Sequence, residues 1–231
     1  MHHEGDDFRM NIAIDGPAGA GKSTVARKVA EQLGYVYIDT GAMYRAVTLG
    51  AQRASITPDQ PTMLAELVRS MKIELAPGKE GQSVFVNGED VTLQIRSREV
   101  TLQVSHIAAN ETVREVLGQM QRNLAARKGV VMDGRDIGSN VLPEAELKIY
   151  LTATVKERAL RRYREIEGSQ NVTLEQLEKE IAERDNLDEQ REISPLICAS
   201  DAVVLDSTGM TIEEVIRAIV QLSRTKLAEA K

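Results

Sequence analysis

The sequence predicts an α/β fold: a doubly wound, five-stranded parallel sheet with a small antiparallel β insert and a helical lid. Three observations predict it. Short apolar segments alternate with helix-length amphipathic ones, the pattern of βα units rather than of hairpins. A glycine-rich turn, GPAGAGKS from Gly16 to Ser23, joins the first apolar segment to the first helix. One turn-rich stretch, centred on Asn87-Gly88, breaks the alternation with short strand signals of its own.

Taken in order, residues 10–14 read as a first strand, and Ser23, Thr24, Val25, Ala26, Lys28, Val29 and Leu33 open an amphipathic helix. YVYID (Tyr35–Asp39) is a second strand, and Gly41–Ala54 a helix. After SITPDQPT a helix is expected over about Met63–Met71. KIELAP and QSVFVNGEDVT are the strands of the insert. Two helical stretches follow, the second over Glu111–Arg127 with Val113, Val116, Leu117, Met120 and Leu124 on one face. GVVMDG ends a buried strand at Asp133, and LKIYLTA (Leu147–Ala153) is the next. Val155–Glu167 is a basic helix, broken by GSQNVT, and Leu174–Arg191 a helix of mixed charge. DAVVLDST (Asp201–Thr208) is the last strand. Thr211–Ala228 is the last helix, capped by Thr211 with Glu214 three residues on. No internal repeat is visible.

Composition narrows the function. A chain of 231 residues, 42% of them hydrophobic, suits one domain, or one domain with an insert. Trp is absent and Phe occurs twice, so stacking platforms for single-stranded nucleic acid are scarce. The net charge of −6 argues against a broad phosphate-backbone footprint. Positive groups that meet an anion must therefore be concentrated locally, and arginine outnumbers lysine, which favours geometric clamping. The single cysteine, Cys198, excludes an intramolecular disulfide and reads as a small packing residue. No apolar run reaches membrane-spanning length. Residues 1–9 lack an apolar signal core and read as a disordered leader or tag remnant, with His2 and His3 on a mobile terminus. These features fit a cytoplasmic protein that binds neither membrane nor nucleic acid.

Five stretches carry chemistry. In the glycine-rich loop the backbone N–H groups form an anion nest at a helix N-terminus. Lys22 is placed to reach the β- and γ-phosphates of a nucleotide, and Ser23 to sit on Mg²⁺. In YIDTGAMYRAV, Thr40 and Gly41 start a helix whose N-terminus can face an anion, and Arg45 lies one turn in. Asp-Thr-Gly is also an aspartic-protease signature, but here it occurs once and runs into a helix, whereas that chemistry needs a second such Asp. In VVMDGRDIGS, Asp133 sits where a carboxylate holds the water shell of Mg²⁺, followed by Arg135 and Asp136; a turn with a local ion pair is the alternative. ERALRRYRE carries Arg158, Arg161, Arg162 and Arg164 beside a Gly-Ser break, which suggests a lid over phosphates; a solvated basic face is the alternative. ERDNLDEQRE puts Arg184, Asp188 and Arg191 at i, i+4 and i+7, which alone is no more than a surface ion-pair ladder.

Together, GPAGAGKS, DTGAMYR, the VFVNGEDVT region, DGRDIG and RDxxDxxR resemble the bacterial cytidylate kinases, from Met10 to nearly the end of the chain. Only the first motif is specific alone; their order and spacing make the set specific. The resemblance implies a P-loop NTPase-type fold, with a nucleoside monophosphate kinase domain over 10–231, a CMP-binding insert about 66–106 and a lid about 155–172. It implies that Gly16, Pro17, Ala18, Gly19, Ala20, Gly21, Lys22, Ser23 and Thr24 bind ATP, that Arg158 and Arg162 approach its phosphates, and that Asp133 acts on Mg²⁺ through water. Arg161 and Arg162 are adjacent, and the sequence does not separate them. Ser105, Arg114 and Asp136 would hold cytosine, Arg184 and Asp188 the ribose, and Arg45, Arg135 and Arg191 the acceptor phosphate, with Thr40 beside it. The implied reaction converts MgATP and CMP or dCMP into ADP and CDP or dCDP, in a monomer. The nucleophile is already a phosphate oxygen, so no strong base is needed, and His106 reads as structural. A P-loop kinase preferring UMP or AMP, and a hydrolysing nucleotide switch, are the competing readings.

Overall fold

The computed structural model describes residues 9–78, 81–166 and 172–229. Of the expected leader only Arg9 falls among them, and residues 168–171 of the GSQNVT break lie outside the described residues, as do 79–80, 167 and 230–231. The core elements are β1 (Asn11–Asp15), α1 (Lys22–Leu33), β2 (Val36–Asp39) and α2 (Thr40–Arg53). The insert follows as α3 (Pro61–Ser70), β3 (Ile73–Gly78), β4 (Gly81–Val86), β5 (Glu89–Asp90) and α4 (Arg98–Ile107). The chain returns through α5 (Glu111–Ala125), β6 (Val130–Asp133), β7 (Leu147–Thr152), α6 (Val155–Ile166), α7 (Leu174–Glu189), β8 (Val203–Asp206) and α8 (Ile212–Glu229).

The sheet runs in the order β2-β6-β1-β7-β8, every pair parallel. Side chains alternate between its two faces. Ile12 and Ile14 of β1, Val131 of β6 and Leu147, Ile149 and Leu151 of β7 meet Val25, Ala26 and Val29 of α1 and Ile216, Ile219 and Val220 of α8. Ala13, Ile38, Val130 and Met132 point the other way, onto Ala125 of α5 and Ile137 and Val141. A strand buried on both faces must be apolar throughout, which is why these segments read as runs. From β1 the chain crosses to one side for β2 and β6 and to the other for β7 and β8. The crevice at the carboxyl end of β1 is therefore the topological switch point, where ligands of such sheets bind.

The insert forms its own antiparallel sheet, β3-β4-β5. Asn87 and Gly88 both have positive φ, 51° and 84°, as a two-residue primed turn requires. A side chain joins this sheet to the main one. Gln82 accepts from the Asp39 N–H at 2.9 Å and donates to the Tyr37 carbonyl at 2.7 Å.

Some expectations need correction. The helix expected to reach Arg127 stops at Ala125, and Leu124, expected on its buried face, is 46% exposed. The buried stripe advances in steps of four through Val113, Leu117, Gln121 and Ala125, so by the last turn it has rotated away from Leu124. The helix expected to reach Arg191 ends at Glu189. A π turn over Ile137–Val141 and a 3-10 turn over Gln94–Arg96 carry no hydrophobic period and had no sequence signal. The Thr211–Glu214 capping pair is present, each residue bonding the other's backbone N–H.

The π turn is tied to β1 by Asp15, whose carboxylate accepts from Ile137 N at 2.8 Å and Gly138 N at 2.7 Å. Burial pushes this carboxyl up from 3.8 to about 6, although the two N–H groups pull it down. The folded chain thus holds a proton there that the unfolded chain releases. The stabilisation is full below about pH 4 and is lost as pH rises through about 6. From this group alone, the unfolding free energy should fall on the order of 2–3 kcal/mol between those limits. Asp15→Asn should flatten that part of the slope. Denaturant titrations of both proteins at several pH values check it; parallel curves would assign the slope to another group.

Candidate active site

The N-cap of α1 is Gly21, in the left-handed region (φ 84°), and no side chain caps the helix. The N–H groups of its first turn are thus open to an anion. The loop before it needs glycine at Gly16, where φ is 146° and a Cβ would stand 2.0 Å from the Leu151 carbonyl oxygen. Lys22 lies inside the loop, buried, its Nζ donating to the Pro17 carbonyl at 2.7 Å. Burial and the positive Arg135 hold its pKa well below that of an ordinary lysine, against the pull of Asp133 and Asp15.

Asp133 closes this half of the site. Ser23 Oγ donates to its Oδ2 at 2.8 Å, and the Tyr37 hydroxyl to its Oδ1 at 3.0 Å. Burial and the neighbouring Asp39 push its pKa to about 7, while Lys22 and the two hydroxyls pull it down. A hydroxyl and a carboxylate oxygen in contact are the hard donors that suit Mg²⁺, and a bound dication would favour the ionised form. Tyr37 was not among the expected residues. Its signal is a polar-tipped aromatic in a strand, with a hydroxyl that must find a partner when buried.

Across the crevice lies a second cluster, rich in arginine. Arg114 and Asp136 form a buried ion pair at 2.6 Å, and the Arg114 guanidinium sits 5.3 Å from the centre of the Tyr44 ring. Asn140 donates to the same carboxylate oxygen at 3.1 Å. Asp188 accepts from Ser105 Oγ at 3.0 Å and from Arg135 Nε at 2.8 Å. The alternative, a surface ion-pair ladder along α7, is not made: Asp188 pairs with Arg135, while Arg191, beyond the helix, donates to the Ser194 carbonyl. Arg184 is pushed down to about 9 and Arg45 to about 10, by burial and then by neighbouring charges, among which other arginines oppose the cation. Among the described residues, Nε of Arg114, Arg184 and Arg191 is buried without any hydrogen-bond partner. Each such group costs about 1–3 kcal/mol until something accepts from it. Mutually repelling, partly unpaired guanidinium groups are what an anion of several oxygens would satisfy.

Two expected residues, Thr40 and Arg158, are placed differently. The Thr40 hydroxyl is buried and donates to the Asp133 carbonyl at 2.7 Å. The N-terminus of its helix is already capped by Asp39, which accepts from Ala42 N at 2.9 Å, so this is not an open anion site. Arg158 does not project toward solvent over the loop: it is buried, donating to the carbonyls of Ala153 and Ala18 and pairing with Asp185 at 2.7 Å. The two adjacent arginines separate. Arg161 turns to Glu157 and Ser207, whereas half-exposed Arg162 lies close enough to add to the positive field at Arg45. Arg45 itself donates to Thr101 Oγ1 at 2.7 Å and the Ile95 carbonyl at 3.3 Å, which fixes it from the insert. Asn140 escaped sequence reasoning because its contact depends on the π turn, and Tyr44 because it reads as an ordinary buried aromatic.

A family model described as cytidylate kinase matches residues 12–225. The chain is 54% identical over 217 residues to the cytidylate kinase of Bacillus cytotoxicus, covering 94% of this chain and 96% of that one. It is 53% identical over 215 residues to the cytidylate kinase of Ligilactobacillus salivarius, covering 93% and 96%. A crystal structure of an uncharacterised protein from Eubacterium ventriosum shares the fold at a TM-score of 0.54 and 10% identity, covering 94% of this chain and 99% of that one. The match spans the glycine-rich loop, the insert and the arginine cluster alike, and the chain belongs to the cytidylate kinase family.

Proposed function

We propose that this chain transfers the γ-phosphoryl group of ATP to CMP or dCMP, releasing ADP and CDP or dCDP, and that it does so as a cytoplasmic monomer acting on small nucleotides. The observation that carries the reading is the buried arginine cluster, three of its Nε atoms unpaired, facing the uncapped helix of a phosphate-binding loop. Such a site has two anion holders, which suits transfer between two phosphates. Membership of the family supplies the donor and acceptor. No helix among the described residues is long and apolar enough to cross a membrane.

In this reading Gly16–Thr24 wrap the ATP phosphates, and Lys22 leaves the Pro17 carbonyl to bind the β- and γ-oxygens. Bound between Ser23 and the water shell held by Asp133, Mg²⁺ would neutralise charge on the transferring group. Arg45, Arg135 and Arg191 hold the acceptor phosphate in line, with Arg162 added from the lid. An acceptor phosphate oxygen attacks the γ-phosphorus as the bond to the ADP oxygen breaks. Because that oxygen is already anionic at neutral pH, catalysis is positioning and charge neutralisation. Arg184 and Asp188 take the ribose. Asp136 accepts from the cytosine amine, and Arg114 and Ser105 complete the base contacts.

A phosphate-acceptor panel with MgATP tests the assignment. CMP and dCMP should be phosphorylated far faster than UMP, AMP or GMP, and ATP should be turned over only slowly without an acceptor. Steady ATP hydrolysis that ignores the acceptor would instead mark a hydrolysing switch.

Lys22→Met removes the buried cation from the loop and is expected to abolish measurable transfer while leaving the melting temperature close to that of the parent. A folded variant with near-normal turnover would take Lys22 out of the mechanism.

Asp136→Asn examines the choice of base. An ionised carboxylate only accepts hydrogen bonds, and uracil presents a carbonyl where cytosine has its amine. A site built for a donor rejects an analogue that lacks it by up to about 10⁴-fold. Since water can relieve part of the mismatch, discrimination against UMP on the order of 10²-fold is expected. The asparagine both donates and accepts, so it should lower kcat/KM for CMP and narrow the gap to UMP. An unchanged ratio would move Asp136 to a purely structural role beside Arg114.

A further inference from the structure

We propose that Asp185, a residue outside the expected site, is a positioning residue that transmits acceptor binding to the ATP loop. The proposal rests on the phosphotransfer reading above.

Asp185 and Arg158 grip both polar groups of one loop residue. The Ala18 N–H donates to Asp185 Oδ1 at 3.0 Å, and the Ala18 carbonyl accepts from Arg158 NH1 at 2.7 Å. The same NH1 stands 2.7 Å from Asp185 Oδ2, so the three groups close a ring. Both residues are buried, Arg158 at 4% exposure and Asp185 at 8%. In such surroundings an ion pair is held only while each member keeps its partner. The next residue, Gly19 (φ 74°), lies against the same two helices: a Cβ there would meet Arg158 Cβ at 3.3 Å and Ile181 Cδ1 at 3.8 Å. The α6–α7 pair has a small core of its own, Ala159, Leu177 and Ile181. The loop therefore rests on a packed platform through Ala18 and Gly19.

The platform also belongs to the acceptor side. Arg184, with its buried unpaired Nε, precedes Asp185 in α7. Asp188, one turn on, is held by Ser105 of the insert and Arg135 of the β6 loop. Arg98 of α4 pairs with Glu180 at the start of the same stretch. One helix thus carries the residues that would hold the ribose and the carboxylate that holds the donor loop. A ligand that fixes Arg184 and Asp188 fixes Asp185 with them. Ordering of this kind makes binding of the second ligand more favourable, and the effect is reciprocal.

Asp185→Asn tests the transmission. The asparagine Oδ1 still accepts from Ala18 N, but it no longer pairs with Arg158. With wild-type CMP phosphorylation first established, the variant should lose about 30- to 100-fold in kcat, the scale of a misplaced reacting group. Its KM for CMP should stay within about threefold, because Arg184, Asp188 and Arg191 remain. The readout that a merely structural role would not move is the coupling. In the wild type, CMP should tighten binding of a non-hydrolysable ATP analogue about fivefold or more, and in the variant that factor should fall toward one. Unchanged kcat and coupling in the variant would overturn the proposal while leaving the reaction assignment intact. If the variant does not fold, hydrogen exchange on the wild type decides: CMP alone should slow exchange of the Ala18 amide, and equal rates with and without CMP would overturn it.

Discussion

The carboxylate of Asp133 is the group on which the rest of the site depends. Its two oxygens draw in the hydroxyl of Ser23 from α1 and that of Tyr37 from β2, and its own carbonyl takes the hydroxyl of Thr40 from α2. Three consecutive pieces of the chain are therefore registered on the end of one central strand. Burying that charge is unfavourable, which is why its pKa rises toward neutrality. In the proposed reaction the same position would supply a strong oxygen donor to a cation, and a bound cation would offset the buried charge.

The arginine cluster shows the opposite imbalance. Arg45, Arg135 and Arg184 disfavour one another's charge, and Asp39, Asp133, Asp185 and Asp188 answer them. A chain with net charge −6 thus concentrates positive potential in one crevice. Long-range attraction of anions in general is weak, and discrimination falls to geometry. That division agrees with the preference for arginine over lysine, because planar guanidinium groups fix the direction as well as the presence of charge.

Much of this was legible from sequence because it rests on local rules. Four of the five strands are apolar runs closed by Asp, the hairpin is declared by Asn87-Gly88, and the loop around Lys22 joins a strand to a helix in the order that points N–H groups at a phosphate. What escaped depends on partners distant in the chain. Thr40 and Arg158 were expected to face ligand, since sequence shows that a side chain is polar but not which buried group claims it. Asp185 was passed over because it looks like one more acid in a mixed-charge helix, although its partner is an N–H 167 residues away. Leu124 fails for a related reason: a helical face is a property of the neighbours that cover it.

Gln82 has a consequence beyond joining two sheets. β2 is an edge strand, and an exposed edge offers unpaired N–H and carbonyl groups to any other extended chain. The amide of Gln82 occupies one of each, at Asp39 and Tyr37, with a single side chain acting as a one-residue substitute for a sixth strand. The opposite edge, β8, is only four residues long and ends in Asp206, so it presents little ladder to extend. The insert thus covers this edge against pairing with a second molecule. Resistance of this chain to edge-to-edge association thus depends partly on the side chain of one glutamine in β4.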